Sequence, residues 1–169
     1  MSKPLVVLAS SLLLAALALP ARAGSAELNC PDLNALADAG ITRYDREATV
    51  AELGRHLQAL AERGLGADEK LQVELLDLDQ AGTMRIVGGG REVRVVRGMA
   101  DWPRISLSYT LTRGSEVLRS GSEQLSDVDF TGGMRGFGPD ADRPLYYEKR
   151  MLAAWFETRF GSERAAAAH

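Results

Sequence analysis

The sequence predicts an α+β fold, an antiparallel sheet of about four strands with an N-terminal and a C-terminal helix packed on one face. Three observations predict it. Val50, Leu53, Leu57 and Leu60 recur at helical spacing. Ile105, Leu107, Tyr109 and Leu111 alternate strictly with polar residues, as a half-buried strand does. Leu145, Leu152, Trp155, Phe156 and Phe160 then mark one face of a second helix.

The chain opens on a segment of another kind. Lys3 precedes an apolar run from Leu5 to Leu19, Pro20 breaks it, and Ala21-Arg22-Ala23 follows as a small-x-small site. That order is expected of a secretory signal peptide over residues 1–23. The run is shorter than the roughly 20 apolar residues a spanning helix needs. No membrane span is expected after cleavage, and the protein is expected to work outside the cytoplasm.

The whole chain has 20 basic and 23 acidic residues. Loss of Lys3 and Arg22 leaves 18 against 23, a formal charge of −5. An acidic surface argues against nucleic acid as a partner. Cys30 is the only cysteine, so no internal disulfide can form. In an oxidising compartment it is a candidate for an intermolecular disulfide, an incidental thiol or a lipid site, the last a poor fit with Glu27-Leu28-Asn29 before it.

Residues 24–47 read as an irregular N-terminal segment, punctuated by Asn29, Pro31, Asp32, Asn34, Asp38 and Gly40. A single α+β domain is expected over 48–160. Its first helix spans about 50–63, with Thr49 and Glu52 as a capping box and Gly64 as the stop. Lys70–Asp79 is the first strand. Its alternation changes phase at Leu75-Leu76, which predicts a bulge there. Gly88-Gly89-Gly90 is a flexible turn before a short strand at Val93–Arg97. Arg104–Thr112 and Glu116–Leu125 form a hairpin about Arg113-Gly114-Ser115. The stretch from Asp127 to Pro144, with Gly132, Gly133, Gly136, Gly138 and Pro139, is a long loop. The last helix runs from Leu145 to Phe160, ended by Gly161, and 161–169 is a disordered tail.

Few residues carry recognisable chemistry. The histidines are His56 and His169, with no partner at zinc spacing. No Gly-x-Ser-x-Gly elbow supplies a nucleophile. The triple glycine lacks the Lys-Ser/Thr of a phosphate loop. Two acidic pairs stand out, Asp77/Asp79 and Asp127/Asp129, each at the end of a strand. Residues i and i+2 share a strand face, so each pair presents two carboxylates together. Should the strand ends meet, the four would suit a hard cation such as Ca²⁺; otherwise they are turn residues. Trp102 precedes the main strand as a core lid or a ligand platform. Glu148 suits a helix start, and Arg150 can pair with an aspartate of either acidic pair.

Several blocks together resemble DUF3016, a bacterial family of secreted proteins of unknown function. They are Arg43-Tyr44-Asp45-Arg46-Glu47, Asp77-Leu78-Asp79-Gln80-Ala81-Gly82, Asp101-Trp102-Pro103-Arg104 with the strand after it, Leu125-Ser126-Asp127, Tyr147-Glu148-Lys149-Arg150-Met151-Leu152 and Trp155-Phe156. The resemblance covers about residues 41–160. Members usually open on a β-rich segment, which residues 24–40 do not resemble. It implies a periplasmic location in Gram-negative bacteria and supplies no catalytic residue. It also places Asp77, Asp79, Asp127, Glu148 and Arg150 in shared blocks, as a charged network or small-ligand site. The expected role is that of a non-enzymatic envelope accessory that binds an envelope protein or itself. The Ser/Thr face of 104–112 would take a further strand if it lay at a sheet edge. The alternatives are a small-ligand or divalent-metal protein and an enzyme using paired carboxylates.

Overall fold

The computed structural model describes residues 23–95, 101–130 and 143–167. The apolar leader, most of the glycine-rich loop and the last two residues lie outside them. The elements in chain order are β1 (Ser25–Asn29), α1 (Arg43–Gly64), β2 (Glu69–Asp79), β3 (Thr83–Val87), β4 (Arg91–Val95), β5 (Arg104–Arg113), β6 (Glu116–Ser126) and α2 (Tyr146–Ala167). Four strands make the main sheet in the order β1-β2-β5-β6, and β3 with β4 makes a separate two-stranded ribbon. All pairings in the main sheet are antiparallel except β1 with β2.

The period-two pattern works as the sequence predicts. Leu71, Val73, Leu75 and Leu78 of β2, with Ile105, Leu107, Tyr109 and Leu111 of β5, line one sheet face. Leu53, Leu57 and Ala61 of α1, and Met151, Leu152, Trp155, Phe156 and Phe160 of α2, cover that face. Fully burying each large apolar side chain contributes about 1.5–3 kcal/mol. The β2–β5 register slips between Leu75 and Asp77. Leu76, 45% exposed, is the extra residue, and the slip lets both Leu75 and Leu78 enter the core. Gly114 turns the β5–β6 hairpin at φ +59°, a conformation glycine adopts without strain.

Four readings are corrected. Residues 24–47 are not irregular throughout, because Ser25–Asn29 pairs parallel with Lys70–Glu74. The strand is short, so it carries little alternation to read. The helix begins at Arg43 rather than 50. Thr42 Oγ1 accepts from the Asp45 amide at 3.1 Å, and the Asp45 carboxylate accepts from the Thr42 amide at 2.8 Å. This capping box replaces the one expected at Thr49 and Glu52. Its first turn is solvated, with Tyr44 78% exposed, so no apolar period announces it. The strand near residue 93 is half of a hairpin, because Thr83–Val87 pairs with it. Last, Gly161 does not end α2, and 161–167 is not a disordered tail, because the helix runs on to Ala167. An interior glycine costs about 1 kcal/mol, and the Glu, Arg and Ala that follow are strong helix formers.

Gly64 ends α1 as expected, but its local role is close packing. A Cβ there would lie 2.4 Å from Phe156 Cε1. Gly64→Ala is therefore expected to destabilise the fold by about 1–3 kcal/mol, the usual cost of overpacking, in a denaturant melt.

Candidate functional site

The sequence-predicted residues collect at one end of the sheet, where β2 finishes and β5 starts. Asp77 and Asp79 straddle buried Leu78, opposite Ser106 and Arg104 of β5. Asp77 Oδ1 accepts from the amides of Ala37 and Leu78, at 2.9 and 2.8 Å. Asp79 pairs with the Arg104 guanidinium. Arg104 in turn lies opposite Ser126, the residue before Asp127. Thus β5, with a cation at its first residue, stands between the two acidic strand ends. Asp127 takes Arg150 as its partner, one of the pairings the sequence leaves open. Arg150 also donates to the Phe130 carbonyl at 3.1 Å and stands over the Tyr146 and Tyr147 rings. Asp129 is exposed. Among the described residues no group of three or more His, Cys, Asp or Glu is placed to hold a metal ion.

Trp102 is half-buried and is neither a core lid nor an open platform. Its ring centroid lies 5.7 Å from the Arg104 guanidinium carbon, and the adjoining Pro103 takes the fully buried position. Such a cation–π contact is worth about 0.5–1 kcal/mol when exposed.

Glu148 is the unusual member, 3% exposed in the first turn of α2. Its Oε1 accepts from the Ala81 amide at 2.9 Å, which ties α2 to the loop after β2. Desolvation pushes its carboxyl above the ordinary range. Backbone hydrogen bonds from Ala81 and from its own amide, and the nearby Arg94 charge, oppose that rise. Arg94 lies on β4 and grips Asp38 with both terminal nitrogens, at 2.7 and 3.2 Å, while donating to the Gly82 carbonyl at 3.0 Å. The Asp38 amide donates to Leu78 O at 2.8 Å. Asp38 and Arg94 are the members of this charged network that sequence reading misses. The available signal was one charged residue between Val93 and Val95.

Beside this network a cleft of about 680 Å³ opens between α1, the β3–β4 ribbon and the start of α2. Among the described residues Glu52 is the carboxylate that lines it. Lys149 and Arg55 hold the Glu52 carboxyl down at about 2. Leu145 lies at its rim with φ +58°, a left-handed conformation that costs a non-glycine residue about 1–2 kcal/mol.

His56 faces the same junction from α1. Its Nε2 lies 3.0 Å from the Lys149 carbonyl. Burial, with the Lys149 and Arg63 charges, holds its pKa below the ordinary 6.5, opposed by that hydrogen bond and by Glu52. A group with a lowered folded pKa favours the fold above its unfolded value, and that contribution is lost as the pH falls through the folded value. Stability is therefore expected to decline below about pH 6.5, and His56→Gln should flatten that decline in melts taken across pH.

Cys30 lies half-buried in a groove between β1 and α1, beside Leu28, Leu33 and Val50. Burial raises its thiol pKa, opposed in part by a backbone hydrogen bond from Asp32. A protonated thiol reacts slowly in disulfide exchange.

The two edges of the sheet differ. At β1, the Ala26 amide donates 2.7 Å to Gln58 Oε1, so α1 caps that edge. At the other, β6 pairs only with β5 among the described residues. Ser120, Gly121, Ser122, Gln124 and Ser126 are exposed along its 11-residue length. The Ser/Thr face of β5 belongs to an inner strand, so strand addition there is excluded.

Comparison with known proteins decides the family. The profile described as "Protein of unknown function (DUF3016)" matches residues 32–158, more than half of the chain. The protein belongs to the DUF3016 family. The DUF3016 match begins before α1, so it includes the Asp38 segment as well as both acidic strand ends. No curated protein and no solved structure matches the chain. The described helices of this DUF3016 protein include none long and apolar enough to cross a membrane.

Proposed function

We propose that this is an exported, non-catalytic protein-binding domain of the bacterial envelope, which takes a β-strand at the free edge of β6. The observation that carries the reading is the edge itself. An 11-residue strand without proline has β5 on one side and no further strand on the other among the described residues. An incoming strand binds such an edge through main-chain hydrogen bonds. Export is supported by the charge, apolar run and small-x-small site of residues 1–23; the periplasm is the compartment that fits.

The charged network supports this reading by its commitments. Asp77, Asp79, Asp127 and Glu148 each hold a backbone amide or an arginine. They fasten the N-terminal segment and α2 to the end of the sheet.

A photo-crosslinking amino acid at Ser122, compared with one at Arg55 on the exposed side of α1, tests the proposal in intact cells. A discrete crosslinked band from Ser122 alone is expected. Equal crosslinking from both positions, or none from Ser122, overturns it. A second reading, a small polar ligand in the 680 Å³ cleft, is favoured by a volume within the range of ligand sites. It predicts that Arg94→Ala abolishes any ligand-induced rise in Tm.

A further inference from the structure

We infer that the strand taken by the β6 edge is β6 of a second copy of this chain, paired antiparallel about Gly121. The inference rests on the strand-addition reading above and names its partner. The support is charge complementarity along one edge. Arg119 lies opposite Leu111 of β5 and Glu123 opposite Leu107. Both therefore stand on the helix-covered face of the sheet. Arg119 donates to the Arg159 carbonyl, and Glu123 pairs with the Arg159 guanidinium at 2.8 Å.

Inward-facing charges on an edge strand disfavour pairing with an apolar incoming strand. A second copy is different. Antiparallel pairing about Gly121 sets Arg119 opposite Glu123 of the second copy, and Glu123 opposite its Arg119. Opposite charges directly across a strand pair attract, and like charges repel. The same register sets Ser120 opposite Ser122 on the outer face, where hydroxyls can hydrogen-bond across the pair. Gly121 faces itself, so no side chain stands at the two-fold axis. The adjacent sequence limits the pairing. The β5–β6 register shifts between Leu111 and Thr112, opposite Arg119 and Val117, so an additional residue interrupts the regular edge at Leu118. A short pairing of this kind belongs with the small, weak interfaces, so a concentration-dependent dimer is expected.

Sedimentation velocity of the purified protein over a wide concentration range reads this directly. A reversible dimer is expected. Ser120→Lys with Ser122→Lys sets like charges opposite each other at two symmetric places and should weaken the dimer about tenfold. Both positions are exposed, so the monomer should keep its circular dichroism. Ser120→Lys with Ser122→Glu should restore pairing. The register has its own readout in a Cys30→Ser background. A Ser120→Cys copy mixed with a Ser122→Cys copy should form a disulfide, while either alone should form much less. Opposed residues meet the distance a disulfide needs, and diagonal ones do not.

A protein that stays monomeric at every concentration overturns self-pairing, as does a dimer indifferent to the lysine pair. The crosslinker at Ser122 separates the two levels of argument. A crosslink to a different protein leaves strand addition standing and removes the second copy as partner. No crosslink and no dimer removes both.

Discussion

Trp155→Ala should destabilise the protein by about 3–5 kcal/mol. For a domain of this size that is a fall in Tm of roughly 10–20 °C. The indole lies at the meeting of β5 and α2. Its ring centroid is 5.5 Å from that of Tyr109 and 5.6 Å from that of Phe160, both edge-on. Phe160 also meets Tyr109 at 5.8 Å and Phe156 at 5.1 Å. Each edge-to-face pair adds about 0.5–1.5 kcal/mol beyond area burial. Alanine would remove two of these pairs and leave a cavity bounded by the rest. Phenylalanine should behave differently. Trp155 Nε1 is buried with no hydrogen-bond partner among the described residues, and an unpaired buried donor costs about 1–3 kcal/mol. Trp155→Phe loses volume but also removes that donor, so a loss below about 1.5 kcal/mol is expected. Thermal melts of the two variants check both statements. Equal losses would show that the buried N–H carries no penalty.

The second large effect belongs to Glu148. Glu148→Leu removes the acceptor of the Ala81 amide and the carboxylate beside Arg94. A loss of about 1–3 kcal/mol is expected from the orphaned amide. Glu148→Gln keeps an oxygen for Ala81 and removes a charge that burial disfavours, so it should lie within about 1 kcal/mol of the parent at neutral pH. The pH dependence has a definite sign. The folded pKa is raised above the ordinary 4.5, so the folded state takes up a proton more readily than the unfolded one. The contribution of Glu148 is fully present below about 4.5 and is lost as the pH rises through the folded value. The parent should therefore gain on Glu148→Gln as the pH falls from neutral to 4.5. A constant difference between their melts across that range would show that Glu148 titrates as an ordinary carboxyl.

Where one face of an element is buried, the sequence carries a clear record of it. Ile105 to Leu111 alternate because β5 has one wet and one dry face, and the Leu75-Leu76 phase change marks a real bulge. The record fades where an element is held by polar contacts. The first turns of α1 rest on Thr42, Asp45 and the hydrogen bonds of Arg46 to the carbonyls of Gly40 and Leu33. The β3–β4 ribbon has largely exposed residues on β3 and offers no alternation. The Asp127–Arg150 pair was legible only as one of two, since the sequence left Arg150 open to an aspartate of either acidic pair. The Asp38–Arg94 pair was not, because its partners are 56 residues apart. The Glu148–Ala81 bond was hidden for the same reason, since its acceptor and donor are 67 residues apart and a backbone amide leaves no mark in sequence.

The cap that Gln58 places on Ala26 decides what kind of assembly strand addition can build. With both edges open, each added copy would offer a fresh edge, and growth would continue into a fibre. With the Ala26 amide of β1 already engaged by Gln58, that edge is less open to a further strand. An isologous pair would use the β6 edge of both members, so the main sheet would not grow further through that edge. Gln58→Ala would free the Ala26 amide on the β1 edge of the main sheet.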